Sequence, residues 1–199
     1  MEIGKRCNVT PIHRLSERLN NNNFYIKRDD LLPVSFGGNK ARKATLFFED
    51  IFLKGADCVV TYGSSRSNHC RIISNLAASN KIPCYIISPI ENNKLSSNYK
   101  LIKLFGAKIE YCPVSEVRNT INNKIKKLKK QGFNPYFVPG GGHGNIGTQA
   151  YVNAYNEIVD YEKNEGVHFD YIFHPSGTGT TQAGLICGQI IHNHRREII

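Results

Sequence analysis

From Cys58 to Val138, short apolar runs alternate with helix-patterned segments, and no other feature of the chain restricts the fold as much. Cys58-Val59-Val60-Thr61-Tyr62, Cys84-Tyr85-Ile86-Ile87, Lys108-Ile109-Glu110-Tyr111-Cys112 and Pro135-Tyr136-Phe137-Val138 have the length and content of strands. Between them, Ile72, Ile73, Leu76 and Ala77 share one helical face. Tyr99 to Phe105 reads as a helix stopped by Gly106, and Ile121, Ile125 and Leu128 line the inner face of a basic helix reaching Lys130. Strands this short, alternating with helices, form a parallel sheet with helices on its faces. The pattern extends outward. Thr10-Pro11-Ile12 reads as extended, Asn20 to Asn23 as a surface turn, and Phe24-Tyr25-Ile26-Lys27 as a strand. A helix from Lys40 to about Lys54 follows, carrying Ala44, Phe47, Phe48, Ile51 and Phe52. The run Gly140-Gly141-Gly142-His143-Gly144 marks a domain crossing. Beyond it the pattern predicts a helix from about Ile146 to Glu162, a strand Tyr171-Ile172-Phe173-His174, a helix from Gln182 to about His192, and a strand opening at Glu197.

Composition narrows the function class. With 40% hydrophobic and 21% charged residues, the 199-residue chain can bury a core. It holds no apolar run long enough to span a bilayer. Met1-Glu2-Ile3-Gly4-Lys5-Arg6 is not a secretory signal. Six cysteines (Cys7, Cys58, Cys70, Cys84, Cys112, Cys187) form no C-x-x-C pair, and several sit in apolar strand-like runs as small hydrophobes, which points to the cytoplasm. Much of the net charge of +10 gathers on Lys124, Lys126, Lys127, Lys129 and Lys130. Their spacing is that of a solvated helix face, so no nucleic-acid partner is expected. The histidines show no metal-ligand spacing.

Three loops carry chemistry. In Phe36-Gly37-Gly38-Asn39-Lys40-Ala41-Arg42-Lys43, two glycines free the backbone and Asn39 reads as the cap of a helix that opens on Lys40. An amine at a helix N-terminus has its protonated form disfavoured, and a neutral lysine can attack a carbonyl to form a Schiff base. Ser176-Gly177-Thr178-Gly179-Thr180-Thr181 joins a strand to a helix, where backbone N–H groups converge on an anion. It is neither a P-loop nor a dinucleotide fingerprint, because Gln182 stands where the third glycine would be; a small phosphate fits better. Ser67-Asn68-His69 opens another helix after a strand, where open α/β sheets bind ligands, although Ser67 or Asn68 can equally serve as a plain cap. A loop lysine, a phosphate loop and a Ser-Asn junction fit one cofactor, pyridoxal 5′-phosphate.

Lys27-Arg28-Asp29-Asp30 followed by Phe36 to Lys43 resembles the cofactor-lysine segment of the 1-aminocyclopropane-1-carboxylate deaminase and D-cysteine desulfhydrase family, of the tryptophan synthase β-like fold (fold type II). Ser67-Asn68-His69, the glycine run at Gly140 and Thr178-Gly179-Thr180-Thr181-Gln182-Ala183-Gly184 match in the family's order, so the likeness covers nearly the whole chain. The resemblance implies two domains of open, mostly parallel sheet with helices on both faces. Residues 1–43 and 140–199 would belong to a large cofactor domain left incomplete, and 44–139 to a small α/β domain. It implies that Lys40 is catalytic and binds the cofactor, that Asn39 meets the ring hydroxyl, and that Gly177, Thr178, Gly179, Thr180 and Thr181 hold the phosphate. Ser67, Asn68 and His69 would meet the substrate, with Ser67 also catalytic as nucleophile or close contact. It further implies a homodimer acting on a small amino acid, by D-cysteine-type β-elimination or by cyclopropane ring opening. Two departures accompany it: Arg66 stands where the family often has glutamine, and family members are longer. A truncated paralogue that keeps the fold as a binding or assembly module without catalysis is the alternative.

Overall fold

The computed structural model describes residues 9–15, 23–90 and 96–199. Cys7, Met1–Arg6 and Asn20–Asn22 of the expected turn lie outside these residues. The chain divides into two compact units: Ala44–His143, and Met1–Lys43 together with Gly144–Ile199. Among the described residues no helix is long and apolar enough to cross a membrane.

The contiguous unit is built on four parallel strands. In chain order they are β3 (Cys58–Tyr62), β4 (Cys84–Pro89), β5 (Lys108–Cys112) and β6 (Pro135–Val138), and their spatial order is β5-β4-β3-β6. Val59 pairs with Cys84 on one side and Tyr136 on the other, which places β3 at the centre. Alternation along β3 sends Cys58 and Val60 to one face, where with Ile87 they pack on Leu128, Ile121 and Ile125 of α4 (Val117–Lys130). Thr61 and Cys84 point the other way, toward His69 and Ser74 of α2 (Asn68–Ser79). Tyr136, also on that face, donates a short hydrogen bond to Asp50 of α1 (Asn39–Leu53). Helices therefore cover both faces, as continuous apolar strands require. Val59, Val60, Ile86 and Ile87 are all fully buried, and each contributes about 1.5–3 kcal/mol. Burial pushes the Cys70 and Cys84 thiols up to about 12, so they behave as inert core groups. The remaining helix, α3 (Ser97–Leu104), starts two residues earlier than its apolar pattern indicates because Ser96 caps it through the Tyr99 N–H at 3.1 Å.

The discontinuous unit holds two short ribbons and two long helices. β1 (Ile12–Arg14) and β2 (Tyr25–Lys27) pair antiparallel, a pairing the strand pattern did not indicate; the connection between them is too short for a parallel crossover. β7 (Tyr171–Ile172) and β8 (Glu197–Ile198) pair in parallel. α5 (Asn145–Glu165) and α6 (Thr180–Ile191) pack intimately, because a side chain at Gly184 would collide with the Thr148 carbonyl oxygen (2.4 Å), and one at Gly188 with Tyr155 Cβ (2.5 Å). Tyr151, Ala154, Tyr155, Val159 and Leu185 form the core between these helices.

Candidate functional site

The lysine segment belongs to the discontinuous unit. After β2 the chain makes a 3-10 turn, Asp29–Leu31, and passes through Ser35 (φ 45°) and Phe36 (φ 65°), both in the left-handed region. Gly37 follows at φ 63°, with its hydrogen face 2.5 Å (to an ideal Cβ) from the Asp29 and Asp30 carbonyl oxygens, so no other residue fits there. The Gly38 carbonyl accepts from the Ala41 and Arg42 N–H groups at 2.9 and 3.2 Å. Gly38, not the expected Asn39, therefore occupies the cap position. Asn39 opens the helix with its side chain released from capping, and its Nδ2 donates to Thr181 Oγ1 at 3.4 Å. That bond joins the lysine segment to the start of α6.

Lys40 is half-buried, and burial lowers its proton affinity below the usual 10.5. Its amine makes no ion pair with a carboxylate among the described residues. Desolvation does what the sequence pattern assigned to the helix end. One turn on, Lys43 is only 1% exposed. Burial, and then the charge of Lys40, bring it down to about 8, and its Nζ lies 5.7 Å from the centre of the Tyr151 ring. Asn39 and Lys43, four residues apart, share a helix face.

Between these lysines and the rest of the unit runs a buried ion network that sequence reading missed. Arg42 is 2% exposed. Its Nη1 donates to Glu157 Oε1 (2.6 Å), its Nη2 to Asp29 Oδ1 (2.7 Å) and its Nε to Asp29 Oδ2 (3.0 Å). Lys27 Nζ donates to Glu157 Oε2 and to Thr10 Oγ1, and the Tyr151 hydroxyl donates to Asp29 Oδ2 at 3.1 Å. Two cations face two anions. Burial pushes the Asp29 carboxyl up, but the Arg42 hydrogen bonds and charge outweigh it and hold the group below its ordinary range. The first turn of α1 is thereby tied to β2 and to α5.

The loop before α6 is shaped for an anion. Gly179 (φ 76°) precedes Thr180 with no side-chain cap, so the N–H groups of the first turn of α6 have no capping acceptor. Ideal Cβ atoms on Gly177 and Gly179 meet nothing within 4 Å, which leaves open space before the loop. Gly177 and Thr178 are exposed, Thr180 and Thr181 are buried, and the Thr178 and Thr180 hydroxyls lie 3.2 Å apart. An uncapped helix start, hydroxyls on both sides and a buried cation on the neighbouring helix suit a phosphate monoester.

Ser67, Asn68 and His69 lie in the contiguous unit. There the strand order reverses at β3, and the loops leaving the carboxyl ends of β3 and β6 flank the switch point, the usual ligand crevice of open sheets. Ser67 caps α2, accepting from the His69 and Cys70 N–H groups at 3.1 and 3.4 Å. Those bonds use its lone pairs, and its O–H, which lies within reach of the Cys70 sulfur, is the group left to donate. Asn68 is exposed. His69 is 2% exposed, and its Nε2 lies 2.8 Å from Thr61 Oγ1, whose proton goes to the Val138 carbonyl at 2.8 Å. Thr61 has only one proton to give, so His69 Nε2 is the donor. This histidine braces α2 against the ends of β3 and β6.

A profile described as pyridoxal-phosphate dependent enzyme matches residues 4–196. The chain is 35% identical over 193 residues to a D-cysteine desulfhydrase of Serratia proteamaculans (strain 568), and the match covers 94% of this chain and 58% of that protein. A D-cysteine desulfhydrase of Salmonella typhi is 34% identical with the same coverage. The crystal structure of an ACC deaminase homologue superposes with a TM-score of 0.83 at 34% identity, covering 94% of this chain and 58% of that one. A pyridoxal 5′-phosphate-dependent aspartate racemase, 16% identical, shares the fold with a TM-score of 0.73. The chain thus spans 58% of the length of the relatives it matches.

Proposed function

The chain belongs to the pyridoxal-phosphate dependent enzyme family, and from that premise we propose that it acts as a lyase or deaminase on a small amino acid. The reaction is D-cysteine-type β-elimination or ring-opening deamination of 1-aminocyclopropane-1-carboxylate. One observation carries the reading: a half-buried lysine of lowered proton affinity lies next to Asn39, which bonds to the uncapped threonine loop.

When bound, pyridoxal phosphate supplies an electron sink for negative charge developing at the substrate's α-carbon. Gly177 to Thr181 hold its phosphate through the first-turn N–H groups and threonine hydroxyls, and Lys43 adds a buried positive charge. Asn39 meets the ring hydroxyl. Lys40 binds the cofactor, and its Nζ, whose proton burial weakens, takes and returns a proton during turnover. Ser67 donates its O–H, and Asn68 its amide, to the substrate carboxylate. His69 serves by bracing the helix that presents them. A reducing cytoplasm suits the free thiols of Cys58, Cys70, Cys84, Cys112 and Cys187, and a homodimer completes the proposal by analogy of fold.

The test is incubation with pyridoxal phosphate, borohydride reduction and peptide mapping, followed by assays for sulfide from D-cysteine and ammonia from 1-aminocyclopropane-1-carboxylate. Label confined to Lys40 with release of either product is the expected result. Label scattered over surface lysines would sink the proposal. Label on Lys40 with no product from any small amino acid would favour a binding or assembly role. The exposed Phe173, Ile190 and Ile191 suit that second reading.

A further inference from the structure

We propose that Arg71 and Asn98 are positioning residues that lock the side chain of Asn68 with its amide nitrogen turned outward, the orientation that accepts a carboxylate and rejects a cation. The inference rests on the reading that Asn68 meets the substrate carboxylate. All three residues lie in the contiguous unit.

Arg71 Nη1 is 3.0 Å from Asn68 Oδ1 and 2.8 Å from Asn98 Oδ1. A guanidinium only donates, so both atoms facing it are oxygens. The Asn98 nitrogen is thereby turned the other way, and it donates to the Arg66 carbonyl at 2.7 Å and to Asn68 Oδ1 at 2.9 Å. Asn68 Oδ1 thus receives two donors, and its NH2 group is left to donate elsewhere. An asparagine without such partners presents either end of its amide with little preference. A half-turn of the amide would set a carbonyl oxygen against the substrate's negative charge. The clamp also ties the Arg66 backbone to α3, fixing the loop that carries Ser67.

Carboxylate recognition can be measured apart from turnover. The cofactor-loaded full chain is titrated with D-alanine, which has no leaving group, and with ethylamine, which has no carboxylate; the visible band reports both. The natural chain should prefer D-alanine by tenfold or more, the effect of one hydrogen bond to a charged group. Asn68→Ala should abolish the preference. Arg71→Met should reduce it about tenfold, whereas Arg71→Lys, which restores one donor, should keep most of it. Asn98→Asp should lose it altogether, because the new carboxylate takes the Asn68 amide protons and flips the group. If the natural chain shows no preference, or Asn68→Ala retains it, the carboxylate reading fails. If Asn68→Ala loses it while Arg71→Met and Asn98→Asp keep it, the positioning role alone is overturned. A second readout needs no cofactor: by NMR, the Asn68 side-chain amide protons should exchange rapidly with water in the natural chain and slowly in Asn98→Asp. Slow exchange in the natural chain would refute the outward orientation.

Discussion

Replacing Lys43 with methionine should stabilise the cofactor-free chain at neutral pH. Methionine has nearly the same length and fills the site without a charge. Burial and the neighbouring Lys40 bring the Lys43 amine from the ordinary 10.5 down to about 8. At about 1.4 kcal/mol per pH unit, keeping it protonated in the folded state costs about 3 kcal/mol. The unfolded chain holds this proton up to about 10.5 and the folded chain only to about 8. Stability should therefore rise with pH through that window, and the full cost is carried below it. Urea denaturation of both proteins at about pH 7 and about pH 10.5 measures the difference: a gain of about 3 kcal/mol at the lower pH that largely disappears at the higher. Adding inorganic phosphate should stabilise the natural chain more than Lys43→Met, because an anion restores part of the value of the charge. Destabilisation by Lys43→Met at neutral pH, or an equal gain at both pH values, would refute the reasoning.

Two further perturbations test the framework around the lysines. Arg42→Met leaves Asp29 and Glu157 without their shared guanidinium and should cost about 3–5 kcal/mol at neutral pH by urea denaturation. The Asp29 carboxyl is held below its ordinary range, so this contribution is present above about pH 4 and fades below it; the gap between Arg42→Met and the natural chain should narrow there. Gly184→Ala would place a methyl 2.4 Å from the Thr148 carbonyl oxygen and from Tyr151 Cβ. It should destabilise the chain by about 1–3 kcal/mol in thermal melts, and an unchanged midpoint would contradict the close helix contact.

The parts of the molecule that sequence reading reaches are those whose cause is local. The four parallel strands follow from short continuous apolar runs alternating with helix-patterned segments, and the lysine and threonine loops from glycines beside a helix start. Even there the first turn of α1 begins one residue before the sequence pattern indicates, because Gly38 and Asn39 both suit a cap and Thr181, 142 residues away, engages the asparagine instead. Arg42 looks like one more solvated cation in a basic run; its partner Glu157 is 115 residues distant, and nothing near either residue announces the other. Lys43 is hidden for the same reason, since burial is set by tertiary packing. Asn98 lies 30 residues from Asn68, and only the fold makes them neighbours. His69 adjoins Asn68 in sequence, but about 100° of helical rotation per residue turns its ring inward to Thr61.

The discontinuity of the lysine-bearing unit also sets an order of events during synthesis. Ala44–His143 is contiguous and can begin to fold as it leaves the ribosome, whereas Lys40 belongs to a unit whose closing partners lie beyond residue 143. Until Glu157 and Thr181 emerge, Arg42 has Asp29 but lacks its second carboxylate, Asn39 lacks its bond to α6, and the first turn of α1 is only half anchored. Contacts of such long sequence separation form late. Lys40 is therefore translated early and put in place late, after the residues that close its unit have been made.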